Sequence, residues 1–268
     1  MVALPRNSFL MGDEGPLANA SDLEGPVREV EVGPLRMDAT TVTNRQFATF
    51  AKQTGHVTTA EQEGWSFVFS GLATAQALAD ASVRSVQGAP WWLAVAGATW
   101  RAPGGPGSDV GTSPNHPVVH VSHLDALAYC AWAGARLPSE SEWEYAARGG
   151  LVGKPYPWGE ELTPRERWRC NIWQGDFPDR NDLGDGHLGA APVKTYAPNA
   201  FGLYQMTGNV WEWTASPWAD GDANFVRKGG SYLCHDSYCN RYRTSARDHS
   251  APDDSTGNIG FRCAADPT

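Results

Sequence analysis

Two cysteines, Cys234 and Cys239, are the residues of this 268-residue chain with the clearest capacity for chemistry. His235 lies between them, and Arg241 and Arg243 follow. Positive charge favours the reactive thiolate, and a thiolate pair is soft enough to prefer Cu(I) or Zn²⁺. Two sulfurs suit linear Cu(I), whereas a closed zinc site needs two further ligands. The spacing also allows a small-loop disulfide or two buried thiols, so these alternatives stay open.

Three histidines, His116, His120 and His123, have the i, i+4, i+7 spacing of a metal site on one helix face. Pro114 and Pro117 exclude a helix there, and on a strand the third histidine points away from the first two. We therefore expect these histidines to be structural.

The composition excludes several classes of partner. The formal charge of −9 is the opposite of a nucleic-acid-binding surface, no apolar run approaches the roughly 20 residues of a membrane helix, and the first residues lack a secretory signal. We expect a cytoplasmic, monomeric protein without nucleic-acid or membrane partners.

The composition also predicts the kind of fold. The 12 Trp, 29 Gly and 19 Pro predict a loop-rich fold, and the length predicts one domain over residues 1–268. Five cysteines are too few for a disulfide scaffold, and their odd number leaves at least one without an internal partner.

Capping residues and terminal glycines predict three helices that position these groups. The first spans 43–54, the second begins at the capping box of Ser122 and Asp125, and the third begins at that of Ser139 and Glu142. Gly55, Gly134 and Gly149 end them. Their apolar sides are Phe47, Phe50 and Ala51; Leu124, Leu127, Ala128, Ala131 and Trp132; and Trp143, Ala146 and Ala147. The best strand candidates are 118–121, 202–206, 226–233 and 259–264.

Motifs that extend along nearly the whole chain carry a resemblance to a known family. They are 42–47 (VTNRQF), 64–69 (GWSFVF), 117–122 (PVVHVS), 129–134 (YCAWAG), 136–150 (RLPSESEWEYAARGG), 156–159 (YPWG), 171–175 (NIWQG), 202–213 (GLYQMTGNVWEW), 229–243 (GGSYLCHDSYCNRYR) and 260–263 (GFRC). Together they resemble the formylglycine-generating enzymes, the sulfatase-modifying factors. The blocks at 136–150 and 208–213 mark a broader superfamily, and the added Cys-x4-Cys is the specific signal.

The resemblance implies an α+β, irregular, loop-rich fold related to the C-type lectin domain. It also implies an oxidase that converts the cysteine of a Cys-x-Pro-x-Arg motif in an unfolded sulfatase to Cα-formylglycine, using O2 and an external reductant. In the family, the cysteines at the positions of Cys234 and Cys239 hold Cu(I), and the substrate thiolate becomes its third ligand. Removal of hydrogen from the substrate carbon gives a thioaldehyde, which water converts to the aldehyde.

Further site residues follow from the resemblance. Ser231 and Tyr238 match positions beside the metal, and Asn258 matches a position that meets substrate, although an asparagine in a turn is the structural alternative. We also expect His235 to bind substrate. We add the carboxylates of Asp253 and Asp254, which would hold the arginine of the substrate motif as an ion pair.

Structural calcium is also implied. Asn171, Ile172, Asp185 and His187 match a Ca²⁺ site built from side-chain and backbone oxygens, with a turn rich in Asn and Asp as the alternative. A second Ca²⁺ site would use Gly208, Val210 and Glu212, but Gln205 replaces its expected asparagine.

Two of the three remaining cysteines match a pair of family positions. Cys130 and Cys263 correspond to a disulfide of secreted relatives, which a cytoplasmic chain would normally keep reduced. Cys170 is interpreted as a buried thiol.

Two other functions remain as alternatives. The first is a non-catalytic, lectin-like binding module, a class that lacks the thiol pair. The second is an iron-dependent sulfoxide synthase, which needs three iron-binding histidines and usually an added helical bundle; this chain has a poor histidine arrangement and no room for the bundle.

Overall fold

Short strands and five helices alternate with long connections in the computed structural model, which describes residues 1–267. The helices are α1 (Asn44–Thr54), α2 (Thr59–Glu63), α3 (Ala75–Leu78), α4 (His123–Trp132) and α5 (Glu140–Arg148). The strands are β1 (Val2–Leu4), β2 (Asn7–Met11), β3 (Arg28–Val32), β4 (Leu35–Met37), β5 (Trp65–Phe69), β6 (Arg84–Val86), β7 (Ala89–Ala96), β8 (Gly175–Asp176), β9 (Arg180–Asn181), β10 (Trp211–Pro217), β11 (Phe225–Lys228), β12 (Arg247–Ser250), β13 (Ile259–Gly260) and β14 (Ala264–Ala265). None of the helices within this range is long and apolar enough to cross a membrane.

The strands form small separate sheets. The largest has the order β12-β11-β10-β13, in which only β10 and β13 are parallel. Two three-stranded sheets, β1-β4-β14 and β5-β7-β6, and the pairs β2-β3 and β8-β9 surround it. Aromatic side chains fill the main core between them, including Phe47, Trp100, Trp213 and Phe261. Packing of large rings therefore holds together a chain with little regular structure.

All three predicted helices are present as α1, α4 and α5, with the predicted capping boxes on α4 and α5 and a further one at Thr43 of α1. Thr43, Ser122 and Ser139 each accept a hydrogen bond from the backbone three residues later, which satisfies a donor at the helix start. The expected buried sides of α1 and α5 are confirmed.

The predicted buried side of α4 is wrong. Ala126, Tyr129 and Cys130 are buried instead, and Tyr129 stacks on Phe47 of α1. The residues left exposed are Leu124, Leu127, Ala131 and Trp132, while Ala128 is half-buried. Apolar residues occupy more than one side of this helix, so their spacing alone did not determine which side packs inward.

Two of the strand predictions are wrong and two hold in part. Segments 118–121 and 202–206 contain no strand, because His120 and Gln205 have left-handed backbones with φ of 57° and 47°. Segment 226–233 is a strand only to Lys228, where two glycines turn the chain. Within 259–264, pairing is limited to β13 and the start of β14.

A buried ion cluster attaches α5 to the sheet that carries the site. Glu144 accepts from Lys228 at 3.0 Å and from Arg148 at 2.7 Å, and all three side chains are almost fully buried. Burial raises the pKa of Glu144, but the two cations outweigh burial and hold it below its ordinary value of 4.5.

We expect Glu144→Gln to destabilise the fold by roughly 3 kcal/mol at pH 7, because the buried Arg148 loses its carboxylate partner and the buried Lys228 keeps only Glu140, at 3.6 Å. Since the folded-state pKa of Glu144 is depressed, its stabilisation is present above pH 4.5 and is lost as the pH falls through that folded value. The difference between variant and wild type should therefore shrink as the pH falls below 4.5. Urea unfolding across this pH range measures it. Glu160→Gln, which breaks an exposed pair with Lys154, is the matched control; equal effects of the two variants would contradict the prediction.

Candidate functional site

A cleft of about 160 Å³ opens over the two cysteines. It brings together five of the predicted site residues: Ser231, Cys234, Tyr238, Cys239 and Asn258. Seven further residues line it: Trp92, Trp211, Arg227, Leu233, Arg241, Asp248 and Thr256. Of these seven, only Arg241 was predicted from the sequence to act on the cysteines.

The loop that carries the cysteines begins with a close backbone approach. Gly229 and Gly230 end β11 with φ of 94° and 73°. A Cβ on Gly230 would lie 2.9 Å from the carbonyl oxygen of Arg241, so a side chain there would push the start of the loop away from its end. Glycine thus allows the 231–241 loop to close on itself above the sheet.

The structure joins Cys234 and Cys239 as a disulfide, which is one of the alternatives left open by their spacing. Their Cα atoms are 4.6 Å apart and both side chains are buried at the base of the cleft. The Ser231 N–H donates to the Cys234 sulfur at 3.3 Å. Reduction would leave two adjacent sulfurs with one hydrogen-bond donor already directed at them.

A chain of polar side chains forms one wall. Thr256 donates from its hydroxyl to Asn258 Oδ1 at 2.6 Å, and Asn258 Nδ2 donates to Ser231 Oγ at 2.9 Å. The Asn258 carbonyl also accepts from the Trp211 N–H at 2.8 Å. Asn258 is therefore both a backbone-anchored turn residue and the group that orients Ser231.

Aromatic rings form the opposite rim. Tyr238 stacks on Phe177 with ring centroids 4.5 Å apart and meets Trp91 edge-on at 4.8 Å. Although Tyr238 is held in this way, 42% of its surface is exposed. Trp92 contributes the neighbouring ring from β7. Tyr238 was predicted through the family motif, whereas the tryptophans lie on β7, a strand that was not predicted.

The positive flank expected for the cysteines is neutralised. Arg243 is fully buried and donates to both oxygens of Glu24 at 2.6 Å. Arg241 donates to both oxygens of Asp22 at 2.6 and 2.9 Å. The expected excess of positive charge beside the cysteines is therefore absent. The sequence around the cysteines did not indicate this, because both carboxylates come from a segment more than 200 positions earlier.

His235, which was expected to bind substrate, does not line the cleft. Its Nδ1 contacts the Ser237 hydroxyl at 2.8 Å and lies 3.0 Å from Asp236.

Asp253 and Asp254 lie outside the thiol cleft. They are exposed and, with Glu63, line a separate cavity of about 200 Å³. Ser255 lines this acidic cavity, and the next residue, Thr256, lines the thiol cleft. The two openings therefore adjoin along a single stretch of backbone.

The first predicted calcium set comes together. Asp185 accepts from the backbone N–H groups of Ile172 and His187, each at 3.0 Å. Burial raises the pKa of Asp185, and Asn171 Oδ1 is buried without a hydrogen-bond partner among residues 1–267. Asn171 Oδ1 is thus an unpaired hard ligand of the kind that Ca²⁺ takes, whereas Asp185 Oδ2 and the Ile172 carbonyl already accept from Gln174 Nε2.

The second calcium set fits less well. Glu212 is already paired with Arg262 through two contacts of 2.7 Å and also accepts from Trp143 Nε1. Gln205 Oε1 is buried and has no partner in the described part of the chain. Across residues 1–267, no three His, Cys, Asp or Glu side chains form a metal-binding cluster.

Two of the three histidines, His120 and His123, have the environments of structural residues, whereas the buried His116 Nδ1 has no partner among residues 1–267. His120 contacts the Ser66 hydroxyl at 2.8 Å and the Pro103 carbonyl at 2.9 Å, while His123 contacts the Thr214 carbonyl at 3.0 Å. Burial lowers the pKa of both His120 and His123 to about 4, so they are neutral at pH 7.

The other three thiols are buried and free. The sulfurs of Cys130 and Cys263 lie 3.3 Å apart without a bond. Contact with Cys130 and burial raise the pKa of Cys263, and burial raises that of Cys170, which keeps these groups protonated.

Titration of the unfolded, unreduced protein should show three thiols, and five after reduction. Ellman's reagent in guanidinium measures both numbers. The control, Cys234→Ala, leaves 5 − 1 = 4 cysteines and no bridge partner, so four thiols are expected before and after reduction. One thiol before reduction would show that Cys130 and Cys263 are also bridged, and five would show that Cys234 and Cys239 are free.

Comparison with known proteins agrees with this geometry. Residues 1–267 match the family model described as the sulfatase-modifying factor enzyme 1-like domain. The formylglycine-generating enzyme of Thermomonospora curvata is 55% identical over 100% of this chain and 93% of its own length. A Bos taurus protein named inactive C-alpha-formylglycine-generating enzyme 2 is 46% identical over 99% of this chain and 87% of its own. The solved structure of PvdO from Pseudomonas aeruginosa has a TM-score of 0.70 at 25% identity, covering 99% of this chain and 93% of that one. The predicted α+β, C-type-lectin-like fold is confirmed.

Proposed function

This chain belongs to the sulfatase-modifying factor enzyme 1-like family, and from that membership we propose that it converts a sulfatase cysteine to Cα-formylglycine. Membership alone does not decide activity, because one relative is named inactive. The observation that carries the proposal is the convergence of Cys234, Cys239, Ser231 and Asn258 on one open cleft. A paired sulfur centre at the base of a cleft suits a reaction on an incoming thiol.

In this proposal the reduced forms of Cys234 and Cys239 hold Cu(I). The fit rests on donor chemistry, since two adjacent sulfurs, buried yet bordering a cleft, provide the soft ligands that Cu(I) prefers. When bound, copper supplies the one-electron chemistry with O2 that no side chain can perform. An external reductant supplies the remaining electrons.

The side chains of the cleft bind and orient the substrate. Asn258 fixes the Ser231 hydroxyl, which is then available to the incoming cysteine or to water. The exposed ring of Tyr238, held by Phe177, shields the reacting carbon from bulk solvent.

The acidic cavity beside the cleft suits the arginine of a Cys-x-Pro-x-Arg motif. Four residues of extended chain span about 13 Å, which lets a peptide reach from one opening into the next. Asp253, Asp254 and Glu63 supply the negative charge for a guanidinium. The natural partner in this proposal is a sulfatase polypeptide in its unfolded state.

The decisive test is mass spectrometry of a synthetic Cys-x-Pro-x-Arg peptide incubated in air with Cu(I)-loaded protein and a thiol reductant. We expect a loss of about 18 Da, the difference between a CH2–SH group and an aldehyde formed by cofactor chemistry. Cys234→Ala and Cys239→Ala should abolish it. Cys130→Ala, which removes a buried thiol outside the cleft, should retain it. An unchanged peptide mass with copper bound would favour the non-catalytic binding module instead.

We also propose that Asn171 and Asp185, with the carbonyls of Ile172 and His187, hold structural Ca²⁺. Adding Ca²⁺ to calcium-free protein should raise its Tm, with a stabilisation of about 2.7 kcal/mol at a hundredfold excess over Kd. Asn171→Ala should abolish this rise, because it removes the buried unpaired oxygen.

Differential scanning calorimetry measures both Tm values of each protein. Asn7→Ala, an exposed substitution on β2, should respond to Ca²⁺ as the wild type does. Equal rises in wild type and Asn171→Ala would contradict the assignment.

A further inference from the structure

The guanidinium of Arg227 is fixed at the edge of the thiol cleft by two neighbours. Arg227 on β11 lies directly opposite Asp248 on β12, and its Nη2 donates to Asp248 Oδ2 at 2.7 Å. The Trp211 ring centroid lies 5.3 Å from the guanidinium carbon. A cross-strand carboxylate and an aromatic ring together restrict both the position and the plane of the group.

Arg227 differs from the neighbouring arginines in its free donors. Arg241 uses two nitrogens on Asp22, and Arg243 uses two on Glu24. Among residues 1–267, Arg227 has an acceptor for Nη2 alone, and its buried Nε has none. A guanidinium has five N–H donors, so Arg227 keeps unused donors beside the cysteines.

The chemistry of the free donors selects the ligand. Asp248 already balances the positive charge, so a second carboxylate would add an unpaired negative charge to the site. A neutral, strong acceptor avoids this. The main-chain carbonyl of a peptide is such an acceptor, and every substrate sequence provides one.

We propose that Arg227 donates a hydrogen bond to a main-chain carbonyl of the bound sulfatase peptide, at the reacting cysteine or at the residue before it. This inference rests on the proposed function for the identity of the peptide. Asp248 is a positioning residue that acts through Arg227. The contact holds the peptide backbone while the cysteine side chain enters the cleft.

The test is a double-mutant cycle on binding, which needs no turnover. A fluorescent peptide carrying Ser in place of the motif's cysteine is titrated by anisotropy, with its two candidate carbonyls replaced in turn by thioamides. Arg227→Gln should raise Kd about tenfold, the loss of one charge-assisted hydrogen bond. One of the thioamides should weaken binding to the wild type but not to Arg227→Gln, because the two changes remove the same contact.

Further variants separate this role from a structural one. Arg227→Lys should bind about as weakly as Arg227→Gln, because a compact ammonium paired with Asp248 lacks the planar fork that directs a second N–H at the peptide. Asp248→Asn should show a smaller loss, and Arg180→Gln on the exposed β8–β9 hairpin none. With the natural cysteine peptide, Arg227→Gln should raise KM more than it lowers kcat.

Additive losses for both thioamides, or absence of peptide binding to the wild type, would overturn the carbonyl contact. The proposed oxidation is judged separately by the mass of the cysteine peptide. A coupled thioamide effect without any mass change would uphold the contact and reject the oxidation.

Discussion

The buried ion pair between Glu24 and Arg243 is the constraint on which the thiol cleft depends. Both side chains are completely buried, and two contacts of 2.6 Å join them. Because an isolated buried charge is strongly unfavourable, the segment around Glu24 and the chain after Cys239 are held as a unit. The pair of Asp22 with Arg241 repeats this attachment two residues earlier in each segment. The surroundings of the sulfurs are thus determined by residues 219 positions away.

This arrangement makes the cleft polar without making it strongly charged. Arg227, Arg241 and Arg243 each have a carboxylate partner, so net positive charge is not what distinguishes the site. The directions of hydrogen-bond donors distinguish it instead. The Ser231 N–H is directed at the Cys234 sulfur, and the unused donors of Arg227 border the same space. A site of this kind selects a ligand by geometry more than by long-range attraction.

Alternation along β11 connects this site to the core. Val226 and Lys228 are fully buried, and Lys228 reaches Glu144 of α5, while Arg227 between them lies on the side of the cleft. The glycines that follow turn the chain into the cysteine loop. Packing of α5 against one side of the sheet therefore supports the groups that face the cleft on the other.

Local signals in the sequence were sufficient for the helices and for the central site residues. Capping boxes and glycines depend on neighbours within a few positions, so α1, α4 and α5 were predictable, as were the cysteines and, through the family motif, Ser231 and Asn258. Three other features were not predictable. They are the packed side of α4, the partners of Arg241 and Arg243, and the contribution of Trp92, Arg227 and Asp248 to the cleft. These features depend on contacts between segments far apart in the chain, and neither local spacing nor composition specifies which distant carboxylate or ring will meet a given side chain. The sequence by itself determined which groups have the chemistry; only the tertiary structure decided which of them share a cleft, because burial and ion pairing operate through space.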